Sequence, residues 1–216
     1  MPSAPSHCGV ILAAGESTRM GRDKAFLPWP PEHPATTQPK HTFLSAAIHA
    51  LNAVNDMVFV VAGKNESELM PVVYACGGRL VRNPAPERGQ FSSLQVGLRE
   101  VLNHGRSAAM VTLVDRPPPA TNTLKLLLSA FDQSSHAGNW AVVPEYQGKH
   151  GHPFIVGREM IEAFLRAPAV STARDIEHEN QQHIEYLSLD DPFVATNVDT
   201  PQDYEALLAQ ASSSLK

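Results

Sequence analysis

The segment Val10-Ile-Leu-Ala-Ala-Gly-Glu-Ser-Thr-Arg-Met-Gly-Arg-Asp-Lys24 runs from an apolar, strand-like stretch into a loop with Gly15, Ser17 and Gly21 and the fixed charges Arg19 and Lys24. This pattern can hold a polyphosphate. A buried strand delivers the loop to a sheet edge, the glycines let backbone N–H groups turn toward an anion, and Arg19 and Lys24 neutralise it. It is not a dinucleotide fingerprint, which needs Gly-x-Gly-x-x-Gly. Nor is it a Walker loop, because five residues separate Gly15 from Gly21 and Arg22 follows.

Two carboxylates could complete such a site. Asp115 ends the run Val111-Thr-Leu-Val-Asp115-Arg-Pro-Pro-Pro. In open α/β sheets ligands sit beyond the carboxyl ends of strands, so Asp115 and the Gly15 to Lys24 loop are expected to face one crevice. A carboxylate opposite a phosphate requires a cation between them, and Mg²⁺ is the usual one. Asp199 precedes Thr200-Pro201, a helix start with Thr200 as N-cap and proline at the first position. That leaves Asp199 outside the helix and able to reach a metal. The competing structural roles are turn capping for Asp115 and a helix N-terminal charge for Asp199.

The elements that must position these residues alternate. Strands are expected at Cys8 to Ala13, Met57 to Ala62, Arg79 to Arg82, Ala109 to Val114, Trp140 to Pro144, Pro153 to Val156 and His183 to Ser188. Helices are expected at Thr42 to Val54, Glu66 to Ala75, Ser92 to Leu102, Thr121 to Phe131, Glu159 to Arg166 and from Thr200 onward. The continuous apolarity of the first and fourth strands implies cover on both faces. The reading is α/β, one domain over 1–216, with a doubly wound, mostly parallel sheet. Residues 28–41 form a proline-rich loop, a surface insertion or a substrate lid, and 1–7 and 211–216 read as flexible ends.

Composition narrows the partners. At 216 residues and 43% hydrophobic content the chain can bury one substantial core. A net charge of −5 gives no basic field for nucleic acid. No apolar run approaches the ~20 residues that span a bilayer, and the chain is expected to be cytoplasmic. Cys8 and Cys76 lie far apart and read as reduced fillers. His150 and His152, without a third ligand nearby, do not make a zinc site.

Residues Leu12 to Lys24 match Leu-Ala-Ala-Gly-x-Ser-x-Arg-Met-Gly-x-x-Lys, the nucleotide-binding signature of the molybdenum-cofactor nucleotidyltransferases. The likeness continues through Asn83-Pro84, Gly89-Gln-Phe-Ser-Ser-Leu-Gln-Val-Gly-Leu98, Asp115, Gly151-His-Pro153 and Asn197-Val-Asp199-Thr-Pro201, nearly the whole chain. The chain thus resembles the MobA-like NTP transferase family. Within it, Ser92-Ser93-Leu94, Gly97-Leu98 and Gly151-His152-Pro153 look like the cytidylyltransferase branch. The departures are Arg116 where that branch commonly has Gln, Arg22-Asp23-Lys24, which is nearer the guanylyltransferase branch, and a longer 28–41 segment. They bear on the base and the acceptor.

The resemblance implies a Rossmann-like nucleotidyltransferase fold of the nucleotide-diphospho-sugar transferase type. It implies transfer of NMP from a nucleoside triphosphate, CTP first, to the phosphate of molybdopterin, with release of pyrophosphate. Leu12, Ala13, Ala14, Gly15, Ser17, Arg19, Lys24 and Asn83 would bind the nucleotide, with Arg19, Lys24 and Asp115 catalytic. Asp115 and Asp199 would hold Mg²⁺ or Mn²⁺, and Ser92, Ser93 and His152 would contact the acceptor. A molybdoenzyme or its chaperone would be the partner that receives the product. The alternatives are guanylyl transfer, a sugar or polyol phosphate acceptor, and a non-catalytic carrier. A nicotinamide oxidoreductase is disfavoured by its missing glycine fingerprint.

Overall fold

The structure, a computed structural model, describes residues 6–15, 20–30, 41–168 and 170–214. Ser17, Arg19, the centre of the proline-rich loop and the extreme ends of the chain lie outside the described residues.

Strand β1 (His7–Leu12) is buried on both faces because its side chains alternate between two apolar cores. Cys8, Val10 and Leu12 enter one core, while Ile11 enters the other. Strands β2 (Met57–Ala62), β3 (Arg79–Arg82) and β4 (Ala108–Leu113) join it, β1 pairing in parallel with β2 on one side and β4 on the other. Helices α1 (Phe43–Asn52) and α2 (Glu66–Ala75) connect β1, β2 and β3 on the face of Ile11. Helix α3 (Gln90–Asn103) returns the chain across the opposite face, so that β4 lies beside β1. Gly97 makes that crossing possible: a Cβ there would lie 2.7 Å from Val10 Cγ1 and 3.0 Å from Val61 Cγ2.

The second half completes the sheet. After α4 (Thr121–His136) come β5 (Ala141–Tyr146), β6 (Lys149–His150), β7 (Phe154–Gly157), α5 (Arg158–Arg166), α6 (Ala173–Glu179), β8 (Ile184–Ser188) and α7 (Pro201–Ser214). The sheet runs β3-β2-β1-β4-β7-β5, with β8 beside β5 and β6 a short hairpin on β5. Only β6 and β7 run against the rest, so the sheet is mostly parallel, as expected. Helix α4 covers the same face of the sheet as α1 and α2, and α5 and α6 the same face as α3. The strand order reverses between β1 and β4, which opens a crevice at their carboxyl ends.

Differences from the sequence reading are local. Helix α6 is absent from that reading because it is short and mostly charged, with Ile176 its sole buried residue; a Thr172–Asp175 capping box starts it. At the described ends of the chain His7 already belongs to β1, and α7 continues to Ser214 with Ala211 buried against Tyr204 and Leu207. The ends of the proline-rich loop are pinned together. Pro28 pairs with Thr42 in an isolated antiparallel bridge, and Trp29 N–H donates to the His41 carbonyl. No described helix is long and apolar enough to cross a membrane.

Candidate active site

Beyond β1 the chain passes through Ala13, Ala14 and Gly15 and re-enters the core at a single 3-10 turn, Lys24–Phe26. Asp23 caps that turn by accepting from Ala25 N–H, and Ala25 and Leu27 are fully buried. The anchored turn carries the aliphatic stem of Lys24 inward, leaving the residue 7% exposed. Its ammonium group lies 3.0 Å from Asp115 Oδ2 and 2.8 Å from Asp199 Oδ1.

The carboxylates arrive from two other elements. Asp115 follows β4 as expected, and its backbone carbonyl accepts from Val198 N–H, tying the 194–199 loop to the end of β4. Asp199 stands just before α7, whose first turn is closed by a capping box between Thr200 and Asp203. Asp203 also accepts from Asp199 N–H, and its carboxyl is held below the usual range by these bonds to Thr200 and Asp199. The second Asp199 oxygen accepts from Asn197. Asp115 Oδ1, by contrast, is buried without a hydrogen-bond partner.

These groups line one lobe of the crevice, a cavity of about 680 Å³. Leu12, Ala14 and Gly15 form part of its wall, together with Lys64 and the start of α3 at Gly89 and Gln90. Ala13 is 1% exposed and contributes backbone only: its carbonyl accepts from Asn65.

Asn83 and the serine pair form a buried cluster. The Asn83 amide donates to Ser92 Oγ at 2.9 Å and Ser93 Oγ at 3.0 Å, and its carbonyl oxygen accepts from Ala85 N–H. Ser92 Oγ donates in turn to the Gly89 carbonyl. Asn83 therefore fixes the 84–89 loop and the first turn of α3 from behind. Ser93 borders this lobe, and Ser92 is turned into the cluster.

A second lobe of about 1040 Å³ adjoins the first across Leu12, Leu113, Gln90 and Arg116. His152 lies in its wall with Phe91, Val143 and Phe154, and α6 closes its far side with Arg174 and Glu177. His152 is held down to about 3, chiefly by burial and then by the Arg116 charge, so the ring is neutral. Burial lifts Glu177 to about 7, against the pull of Arg174. The wall depends on Gly151: a Cβ there would come within 2.0 Å of the Val194 carbonyl oxygen, which also accepts from His152 N–H.

The crevice thus has two adjoining lobes, one bordered by Lys24, Asp115 and Asp199 and the other by His152 and Glu177. The family model for the MobA-like NTP transferase domain matches residues 9–186. This chain belongs to the MobA-like NTP transferase family. A relative named probable molybdenum cofactor guanylyltransferase, from Mycobacterium avium strain 104, is 35% identical over 109 residues, covering 50% of this chain and 49% of the relative. The chain spans about half the length of such curated relatives. The crystal structure of Rv0371c from Mycobacterium tuberculosis H37Rv superposes with a TM-score of 0.75 at 27% identity, covering 96% of this chain and 99% of that one. A structure of Rv0371c in complex with manganese gives 0.71 at 24% identity, covering 94% and 98%.

Several residues around the crevice of this MobA-like family member lie outside its sequence motifs. Asn65 links three parts of the site, donating to the Ala13 carbonyl and to Asp23 Oδ2 and accepting from Gly63 N–H. Gly63-Lys64-Asn65 at the carboxyl end of β2 is an available signal. Arg174 and Glu177 carry no signal, because the short charged helix that presents them lacks apolar periodicity.

Proposed function

We propose that this protein is a nucleotidyltransferase that moves NMP from a nucleoside triphosphate to the phosphate of a molybdopterin-type acceptor, releasing pyrophosphate. The observation that carries this reading is the convergence of Lys24, Asp115 and Asp199 on one lobe of a two-lobed crevice at the switch point of the sheet. Family membership agrees with it.

A divalent cation fits this site on the protein's own chemistry. Asp115 Oδ1 is a buried anionic oxygen with nothing to satisfy it, and Asp199 lies opposite across the Lys24 ammonium. Among the described residues no group of three or more His, Cys, Asp or Glu side chains gathers, so substrate oxygens would complete the coordination. Asp115 and Asp199 would hold Mg²⁺ or Mn²⁺, which supplies charge neutralisation at the phosphates.

The residues themselves position and neutralise. The backbone of Ala14 and Gly15 and the start of α3 border the triphosphate lobe, where a helix N-terminus favours anions. Lys24 offers its ammonium group to the phosphate chain, and Arg19 joins it in this reading. The acceptor phosphate is already ionised, so attack on the α-phosphorus needs alignment rather than a general base. The acceptor lies in the second lobe, against His152 and the apolar wall.

Two observations bear on the base. Gly151-His152-Pro153 and Ser92-Ser93-Leu94 support CTP, whereas the relatives' names support GTP. Pyrophosphate release from CTP, GTP, ATP and UTP, with and without molybdopterin and Mg²⁺, tests the proposal. Release that needs the pterin and one base supports it, and the preferred base selects the branch. Release that follows a sugar phosphate instead would move the acceptor class, and none with any nucleotide would favour a carrier.

A further inference from the structure

Arg116 directly follows Asp115 at the carboxyl end of β4. Its side chain lines both lobes of the crevice. One Nη donates to the Thr196 carbonyl at 3.3 Å, while Nε is buried without a hydrogen-bond partner. The guanidinium is coupled electrostatically to Asp115 and Asp199 on the nucleotide side and to His152 on the acceptor side. It is therefore a cation at the border between the two substrates.

That border is where the reaction, on the reading above, has its hardest electrostatic problem. The acceptor phosphate and the triphosphate are both anionic and must approach until an acceptor oxygen reaches the α-phosphorus. A planar guanidinium matches two phosphate oxygens at once, which a glutamine amide cannot do with charge. The bond between Thr196 and one Nη restricts the side chain and so lowers the ordering cost of binding.

We propose that Arg116 clamps the acceptor's phosphate monoester at the junction of the lobes and presents one of its oxygens to the α-phosphorus. The new bond joins that oxygen to the α-phosphorus. The bond from the α-phosphorus to the bridging oxygen breaks, and its electron pair leaves with pyrophosphate. Arg116 transfers no proton. Its contribution is charge and orientation, concentrated on the acceptor rather than the nucleotide.

Steady-state kinetics of Arg116→Gln and Arg116→Lys test the clamp. Arg116→Gln should raise the acceptor KM by about tenfold or more while moving the NTP KM less than about twofold. Arg116→Lys should recover part of the loss, since it restores charge without the fork. An unchanged acceptor KM, or equal rises for both substrates, overturns the assignment. A fluorescence titration with neopterin monophosphate and with neopterin needs no turnover. Wild type should bind the phosphorylated pterin more tightly, and Arg116→Gln should erase that difference while retaining a cooperative thermal transition. No preference in wild type, or the same preference in both proteins, overturns the clamp. Absence of turnover in wild type with every nucleotide counts against the functional reading alone.

Discussion

Lys24 and Asp199 are 175 positions apart in the chain, yet the Lys24 ammonium lies 2.8 Å from Asp199 Oδ1 and 3.0 Å from Asp115 Oδ2. One cation thus holds together the Lys24–Phe26 turn, the end of β4 and the start of α7. The same three groups line the first lobe, together with Lys64, Glu87 and Arg116.

Replacing Lys24 with Met should remove most turnover, about a thousandfold in kcat/KM, because neutralising charge at the phosphates supplies much of the rate enhancement in such reactions. The loss of stability should be about 1–3 kcal/mol, below that of a fully buried pair, since Asp115 and Asp199 are 22% and 32% exposed. With the ammonium gone the two carboxylates repel. Added Mg²⁺ should therefore raise the melting temperature of the variant more than that of wild type, and differential scanning fluorimetry reads both numbers.

Asp115→Asn keeps the shape and removes the charge. Turnover should drop by two orders of magnitude or more with only a modest loss of stability. Pyrophosphate release measured across a Mg²⁺ titration checks this, and near-normal kcat at saturating Mg²⁺ would refute the metal-holding role.

Asn83→Ala removes three hydrogen bonds inside a buried cluster, those to Ser92 Oγ, to Ser93 Oγ and from Ala85 N–H, while Ser92 keeps its bond to the Gly89 carbonyl. The expected cost is about 1–3 kcal/mol in denaturant unfolding. The NTP KM should rise too, through disorder of the 84–89 loop, and wild-type stability would contradict the cluster's role.

Gly151→Ala should lower stability by about 2–3 kcal/mol, because a methyl group cannot fit 2.0 Å from the Val194 carbonyl oxygen. The displaced loop carries His152, so acceptor affinity should fall while nucleotide affinity changes little. Isothermal titration with the nucleotide and the pterin separates these effects.

The pH dependence of stability should show two opposing slopes. His152 is held at about 3 in the folded chain and is near 6.5 unfolded, so the unfolded state binds the extra proton between these values and stability rises with pH there. Glu177, at about 7 folded and near 4.5 unfolded, does the reverse: stability falls as pH rises from about 4.5 to 7. Each slope is at most about 1.4 kcal/mol per pH unit. Compared with wild type, Glu177→Gln should steepen the rise between pH 4.5 and 6.5, and His152→Gln should flatten or invert it. Urea unfolding midpoints at half-unit steps measure both.

The sequence by itself determined most of the elements and the glycines and fixed charges of the loop after β1. Periodicity and capping are local, so β2, α2 and β3 could be placed to the residue, and Thr200 was recognisable as the N-cap of α7. The order of motifs at strand ends placed Lys24 and Asp115 at one crevice. Only the tertiary structure decided what each of these side chains meets. The Lys24 ammonium lies between two carboxylates, the Asn83 amide is bonded within a buried cluster, and Arg116 spans two lobes. Charged α6, weak in periodicity, gave no local signal for the wall it builds with Arg174 and Glu177. Local sequence carries propensity over a few turns, whereas distances between residues far apart in the chain are set by how the sheet and its covering helices pack.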